Sequence, residues 1–233
     1  MQLFLFWVEP FKRIYEGENA NMKISIIVPT LKNEPLTTKS LFHCPVPYQL
    51  ILSKKPGLGC ARNYGAKQAK YDLLVFLDDD LTLKPEIWKH ILNTRKGEFK
   101  MTKWPRPVTR AMVIHSEDFW RVGGFDESIK ALGEDLVFYV EAIQHGLNFS
   151  EIPIGLMIHE DHEPRSHNKR VAIDMILDTS RNFARYGFRL YGLTEFARNS
   201  VLREMLLRSF VIRLSSFTYY AFKMMLTENI HKS

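Results

Sequence analysis

The chain has 233 residues, of which 45% are hydrophobic and 25% charged. That composition suits one large domain, alone or with a helical appendage, and excludes a disordered chain. Its two cysteines, Cys44 and Cys60, are too few for a disulfide framework and lack a metal-binding spacing, so they read as free thiols in a reducing compartment. The net charge of +6 is unevenly spread: residues 165–233 carry 12 Lys and Arg against 5 Asp and Glu. This basic region calls for an anionic partner, lipid head groups or nucleic acid.

The chain opens with the apolar run Leu3 to Val8, too short to span a bilayer and without the basic start of a signal peptide. Met22 stands directly before the first strand, so residues 1–21 read as an accessory arm or as sequence upstream of the natural start. Lys23 to Thr30 is β-branched and apolar and predicts a buried strand. Residues 31–47 contain three prolines and predict a loop with at most a short helix, before a second strand at Tyr48 to Ser53. Glycines 57 and 59 end that strand, and Cys60 to Lys70 has helix-forming residues.

Leu73 to Leu77 predicts a third buried strand that runs into Asp78-Asp79-Asp80. A short helix is expected over Pro85 to Asn93, with Pro at its start, and a strand over Ala111 to His115. Glycines 123 and 124 mark a turn, Glu134 to His145 has helical spacing, and Ile154 to His159 predicts a last strand. Alternating strands and helices imply an α/β domain with a largely parallel sheet. Ligands then lie at the carboxyl ends of the strands, where the aspartates fall.

Three adjacent carboxylates repel one another, and a hard divalent cation completed by substrate phosphates would compensate them. A solvated acidic turn is the competing explanation. Glu134-Asp135 is equally explained by the preference for acidic residues in a first helical turn. His159 follows a strand and offers an imidazole ligand, or is polar surface. Gly57, Gly59, Arg62 and Asn63 would set amides and a guanidinium against a diphosphate, or form a plain strand-to-helix turn. The glycine pattern is neither that of a dinucleotide fold nor a P-loop.

In order, the segments SIIVPTLKNEP, GLGCARNYGAKQAKYDLLVFLDDDLTLKPEIW, AMVIHSEDFWRVGGFDESIKALGEDLVFYVEAIQHG and IPIGLMIHE resemble the inverting family-2 glycosyltransferases of the GT-A fold. The resemblance spans about Lys23 to His162. It implies a GT-A-like α/β domain over residues 22–164, with a mixed, mainly parallel sheet flanked by helices. It also implies transfer of a sugar, with inversion, from a nucleoside-diphosphate donor (a UDP- or GDP-sugar) to an acceptor hydroxyl on a glycan, lipid-linked or protein acceptor.

Within it, Pro29, Thr30 and Glu34 would line the nucleoside pocket and Arg62 would lie near the donor. Asp78 would sit near the ribose, and Asp79 would serve as ligand or support. Asp80, with Asp78 and His159, would hold Mn²⁺ or Mg²⁺. Asp135, or its neighbour Glu134, would be the base. One departure stands out: only 17 residues separate Thr30 from Tyr48, and the second strand ends in Ser53-Lys54-Lys55 instead of an acidic loop and helix. The fold is therefore expected in a trimmed form, without the usual base-contacting aspartate.

Residues 165–233 read as helices. Leu206 to Leu226 is apolar but holds Arg208, Arg213 and Lys223, which disfavours a spanning helix. It suits a helix lying on an anionic, cytoplasmic membrane face, or one packed on the catalytic domain or on a partner subunit in an oligomer. A nucleotidyltransferase would need a glycine-rich loop after the first strand, and a nucleic-acid-binding module would leave the acidic motifs unused. A catalytically degenerate GT-A binding protein is the remaining alternative.

Overall fold

The computed structural model describes residues 22–103, 107–129 and 133–160. The arm, the basic C-terminal region and the Asp161-His162 pair lie outside the described residues. The three apolar runs form β1 (Ile24–Pro29), β2 (Tyr48–Ser53) and β3 (Leu73–Leu77). They are joined in one sheet by β5 (Glu98–Lys103), β6 (Pro107–His115) and β7 (Asn148–Ile152), in the order β2-β1-β3-β6-β5-β7. β1 pairs in parallel with both β2 and β3, and β5 pairs in parallel with β7; only β6 runs antiparallel to its neighbours. A small second sheet pairs β4 (Leu81–Leu83) with β8 (Met157–His159).

Side-chain alternation divides the core into two layers. Ile24, Ile26 and Val28 of β1, with Leu73, Val75 and Leu77 of β3, face one side. There they meet Leu41 of the 3₁₀ helix Leu36–His43 and Ile87, Trp88 and Ile91 of α2 (Ile87–Leu92). Ile27, Leu74 and Phe76 face the other side. That layer is covered by Ala66 of α1 (Leu58–Lys67), Phe119 and Val122 of α3 (Ser116–Val122), and Phe138 and Ala142 of α4 (Glu134–Gln144). Phe76, Phe119, Phe125 and Phe138 pack with ring centroids 4.9–5.7 Å apart. Edge-on and offset geometries at such distances add to what burial alone contributes.

Two features fix how α1 meets the sheet. A Cβ at Gly65 would lie 2.3 Å from Ile27 Cγ2, so this glycine lets the helix approach β1 closely. Gly124 adopts φ 72° and touches the Asn63 side chain, which holds the turn after α3 against α1. β2 lies at the edge of the sheet and leads into α1 through only residues 54–57, so the trimmed connection expected after β2 is what the fold contains.

Several elements differ from expectation. The expected strand at Ile154 to His159 begins as a 3₁₀ turn, Ile154–Leu156, and becomes extended only from Met157. β6 begins at Pro107, four residues ahead of the expected Ala111. β4, β5, β7 and α3 were not anticipated at all. β5 (EFKMTK) and β7 (NFSEI) hide behind charged and polar residues: β5 sends only Phe99 and Met101 into one layer, and β7 gives Phe149 to that layer and Ile152 to the other.

Candidate active site

The carboxyl ends of β1 and β3, the first turn of α4 and the end of β8 are drawn together by one network of side-chain contacts. Pro29 ends β1 opposite Ser53 in register, and the buried Thr30 follows it. Thr30 Oγ1 donates to Asp79 Oδ2 at 2.5 Å, and Lys32 Nζ lies 3.6 Å from Asp79 Oδ1. Asp79 thus braces the loop after β1. Glu34 is exposed on that loop and takes no part in these contacts.

Asp78 is fixed from several directions. Its N–H donates to Arg110 O at 3.0 Å, continuing the β3–β6 ladder, and its carbonyl accepts from Thr37 Oγ1 at 2.5 Å. The same Thr37 hydroxyl accepts from Leu81 N at 3.0 Å, closing the tight turn that carries the three aspartates. Arg62, only 3% exposed, donates through Nη2 to Asp78 Oδ1 at 3.0 Å and through Nη1 to Glu134 Oε1 at 2.8 Å. Its guanidinium carbon lies 5.2 Å from the centre of the Phe125 ring. Burial works against its charge, but the Asp78, Glu134 and Asp135 carboxylates outweigh burial and hold it ionised. Asp78 itself is pushed up by burial and by the Asp80 and Glu134 carboxylates, against the pull of Arg62.

Asp80 points to the other side of the turn. The β4–β8 pairing sets Leu81 opposite His159, and Glu160 N donates to Asp80 O at 3.0 Å. His159 Nε2 thereby comes within 3.3 Å of Asp80 Oδ2. Among the described residues, no group of three His, Cys, Asp or Glu side chains forms a metal cage. Asp80 and His159 are one hard oxygen and one imidazole donor, an incomplete set. Mg²⁺ and Mn²⁺ tolerate that when substrate phosphates and water supply the rest.

Asp135 opens α4 beside Glu134. Its Oδ1 accepts from Leu136 N at 2.8 Å and its Oδ2 from Thr109 N at 3.4 Å. Burial, then the Glu134 charge, raise its carboxyl to about 6, with Arg62 and the two backbone donors opposing. A carboxylate of that basicity is ionised at neutral pH yet takes a proton more readily than an ordinary aspartate.

The sequence missed the device that sets Asp78 and Asp135 in place. The β5–β6 register shifts after Met101, so that Met101 pairs with Met112 but Thr102 with Val108. Beside this irregularity the N–H of Thr109 donates to Asp135, while the carbonyl of the next residue, Arg110, continues the regular β3–β6 ladder to Asp78 N. Of the two readings open for Asn63, its contacts favour the structural one: it donates to Phe125 O at 2.8 Å and Glu127 Oε1 at 2.9 Å and accepts from Phe125 N at 2.9 Å. Its work is to anchor the glycine turn. Gly59 likewise lies against that turn, where a Cβ would sit 3.1 Å from Asp126 O.

Residues 45–101 match the family model described as glycosyl transferase family 2. No curated protein matches the chain. Among solved structures, glucosyl-3-phosphoglycerate synthase from Mycobacterium tuberculosis, in complex with Mn²⁺, UDP and phosphoglyceric acid, superposes with a TM-score of 0.55 at 14% identity, covering 76% of this chain and 82% of that one. The catalytic domain of Drosophila β1,4-galactosyltransferase 7, in complex with xylobiose, gives 0.51 at 18% identity over 63% of this chain and 73% of that one. A mannosyltransferase from Pyrobaculum calidifontis with GDP-Man and Mn²⁺ gives 0.50 at 15% identity, covering 70% and 63%. The fold is that of the GT-A glycosyltransferases, and the family-2 match lies within the first half of the chain.

The raised Asp135 carboxyl makes a prediction about stability. The folded state holds this proton more tightly than the unfolded chain, whose aspartate titrates near about 4, so stability falls as pH rises from about 4 to 6. Asp135→Asn removes that cost. Its thermal midpoint should exceed that of the unmodified protein by about 2–5 °C at pH 7.5, and the two should coincide near pH 4. A difference independent of pH would contradict the shift.

Proposed function

We propose that this chain transfers a sugar from a nucleoside-diphosphate donor to an acceptor hydroxyl with inversion, using Asp135 as the base. The observation that carries the reading is the convergence of two carboxylate groups on one buried arginine. Asp78 and Asp80 come from the end of β3, Glu134 and Asp135 from the start of α4, and Arg62 touches one member of each. Solved relatives in fold hold UDP or GDP-Man with Mn²⁺. That supports a UDP- or GDP-sugar as donor and a divalent cation beside its diphosphate.

In this reading Pro29, Thr30 and Asp79 shape the nucleoside end of the site, with Glu34 at its rim. Asp78 and Arg62 lie on the ribose side, and Asp80 and His159 are the protein ligands of Mn²⁺ or Mg²⁺. A cation held there by Asp80 and His159 would supply positive charge against the diphosphate as it leaves. Asp78 is assigned to the ribose, and Arg62, which holds its Oδ1, sets the direction of that carboxylate. Asp135 receives the acceptor's proton as the hydroxyl oxygen attacks the anomeric carbon and the carbon–diphosphate bond breaks. A single displacement inverts the anomeric centre. Glu134, committed to Arg62, is a support for this pair.

The test compares two variants for binding and for turnover across a panel of UDP- and GDP-sugars. Asp135→Asn should lower turnover by about two to four orders of magnitude and leave Mn²⁺-dependent donor affinity nearly unchanged. Asp80→Ala should abolish the Mn²⁺ dependence of donor binding while the protein stays folded. Full activity in Asp135→Asn, or unchanged Mn²⁺ dependence in Asp80→Ala, would overturn the assignment.

The basic region 165–233 supports peripheral contact with an anionic membrane face at the cytoplasmic side. Among the described residues no helix is long and apolar enough to cross a membrane. Binding of the full chain to vesicles containing phosphatidylserine should weaken as salt rises from about 0.05 to 0.5 M, because exposed charges are screened. Binding that ignores salt, or none at all, would refute the contact.

A further inference from the structure

We propose that Arg62 is a positioning residue that ties the donor side of the site to its acceptor side, so that nucleotide affinity depends on a carboxylate belonging to the base's helix. This rests on the glycosyl-transfer reading for its functional meaning, but its geometry stands by itself.

The guanidinium is buried and forks. One Nη holds Asp78 of the β3 turn at 3.0 Å and the other holds Glu134 of α4 at 2.8 Å. Its third face carries Nε, buried without a hydrogen-bond partner among the described residues. The two carboxylates are therefore what fix the group, with the Phe125 ring beneath it. The residues it joins are 56 positions apart in the chain and on different elements, and the planar fork of arginine is the side chain that can hold both at once. Removing one partner leaves a buried charge with a single counter-ion, and the guanidinium must then shift toward what remains.

A second tie runs in parallel. β6 offers adjacent groups, Thr109 N–H to Asp135 and Arg110 C=O to the backbone of Asp78. This tie anchors the backbone of Asp78 and leaves its carboxylate free to turn about the side-chain bonds. The orientation of that carboxylate is what Arg62 sets. Loss of Glu134 is thus transmitted to Asp78 through the guanidinium, without unfolding the turn that bears it.

The experiment uses the full chain and three variants. Glu134→Ala removes one prong of the fork. Arg62→Lys keeps the charge but presents a single point. Glu127→Gln is the control, since Glu127 accepts from Asn63 and not from Arg62. In a crystal structure of Glu134→Ala, the guanidinium should move away from the vacated position toward Asp78, and the Asp78 carboxylate should turn with it out of its parent rotamer. An Arg62–Asp78 pair unchanged from the parent would overturn the proposal.

In calorimetric titration with UDP and with GDP in the presence of Mn²⁺, Glu134→Ala and Arg62→Lys should each bind about 5- to 10-fold more weakly than the parent. Glu127→Gln should bind equally well. Parent-like affinity in Glu134→Ala or in Arg62→Lys would also overturn the proposal. A parent that binds neither nucleotide would sink the glycosyl-transfer reading, and the crystal structure would still decide whether Arg62 ties the two sides.

Discussion

A guanidinium taken out of water must find counter-charges in the fold, and Arg62 finds them on two separate elements. That one requirement constrains much of the structure around it. α1 must come close enough to β1 for Arg62 to reach the end of β3, which Gly65 permits. The glycine turn must seat Phe125 under the guanidinium, which Asn63 secures by three hydrogen bonds. α4 must begin where Glu134 can meet the fork, and Gly133 at φ 101° allows the chain to turn sharply into it. Polar groups left unpaired at such depth are costly, so these placements are mutually dependent.

The site separates its carboxylates into different chemical environments. Asp79 is occupied in bracing the loop after β1, and Asp78 is shared with a buried cation. Asp80 turns toward an imidazole from β8. Asp135 is held by two backbone N–H groups, which orient it without neutralising it, and burial with the Glu134 charge makes it a stronger base than an ordinary aspartate. Four acidic residues close together thus stand in distinct surroundings.

What could be read from the sequence followed the physics of each signal. β1 and β3 are buried on both faces, so their side chains are continuously apolar and their limits are plain. β5 and β7 carry Glu98, Lys100, Ser150 and Glu151, which pair locally as Ser150 to Glu98 and Lys100 to Glu98, and such pairing erases any apolar run. α3 is short and opens with Ser116-Glu117-Asp118, which reads as a loop until Phe119 and Val122 are seen to be core. The acidic motifs were legible as residue types. The β6 contacts were not, because Thr109 and Arg110 contribute backbone atoms that any residue could supply. Lys32 and Thr37 were missed because one ion pair and one hydroxyl bridge leave no periodic trace.

The central claim is that donor and acceptor meet between the β3 turn and the start of α4. A crystal structure of the protein with Mn²⁺ and a non-hydrolysable UDP- or GDP-sugar would test it most directly. The account predicts the diphosphate and cation beside Asp80 and His159, the ribose by Asp78, and the anomeric carbon facing the Asp135 carboxylate across a gap that one hydroxyl fills. A nucleotide seated elsewhere, or an anomeric carbon turned away from Asp135, would contradict it.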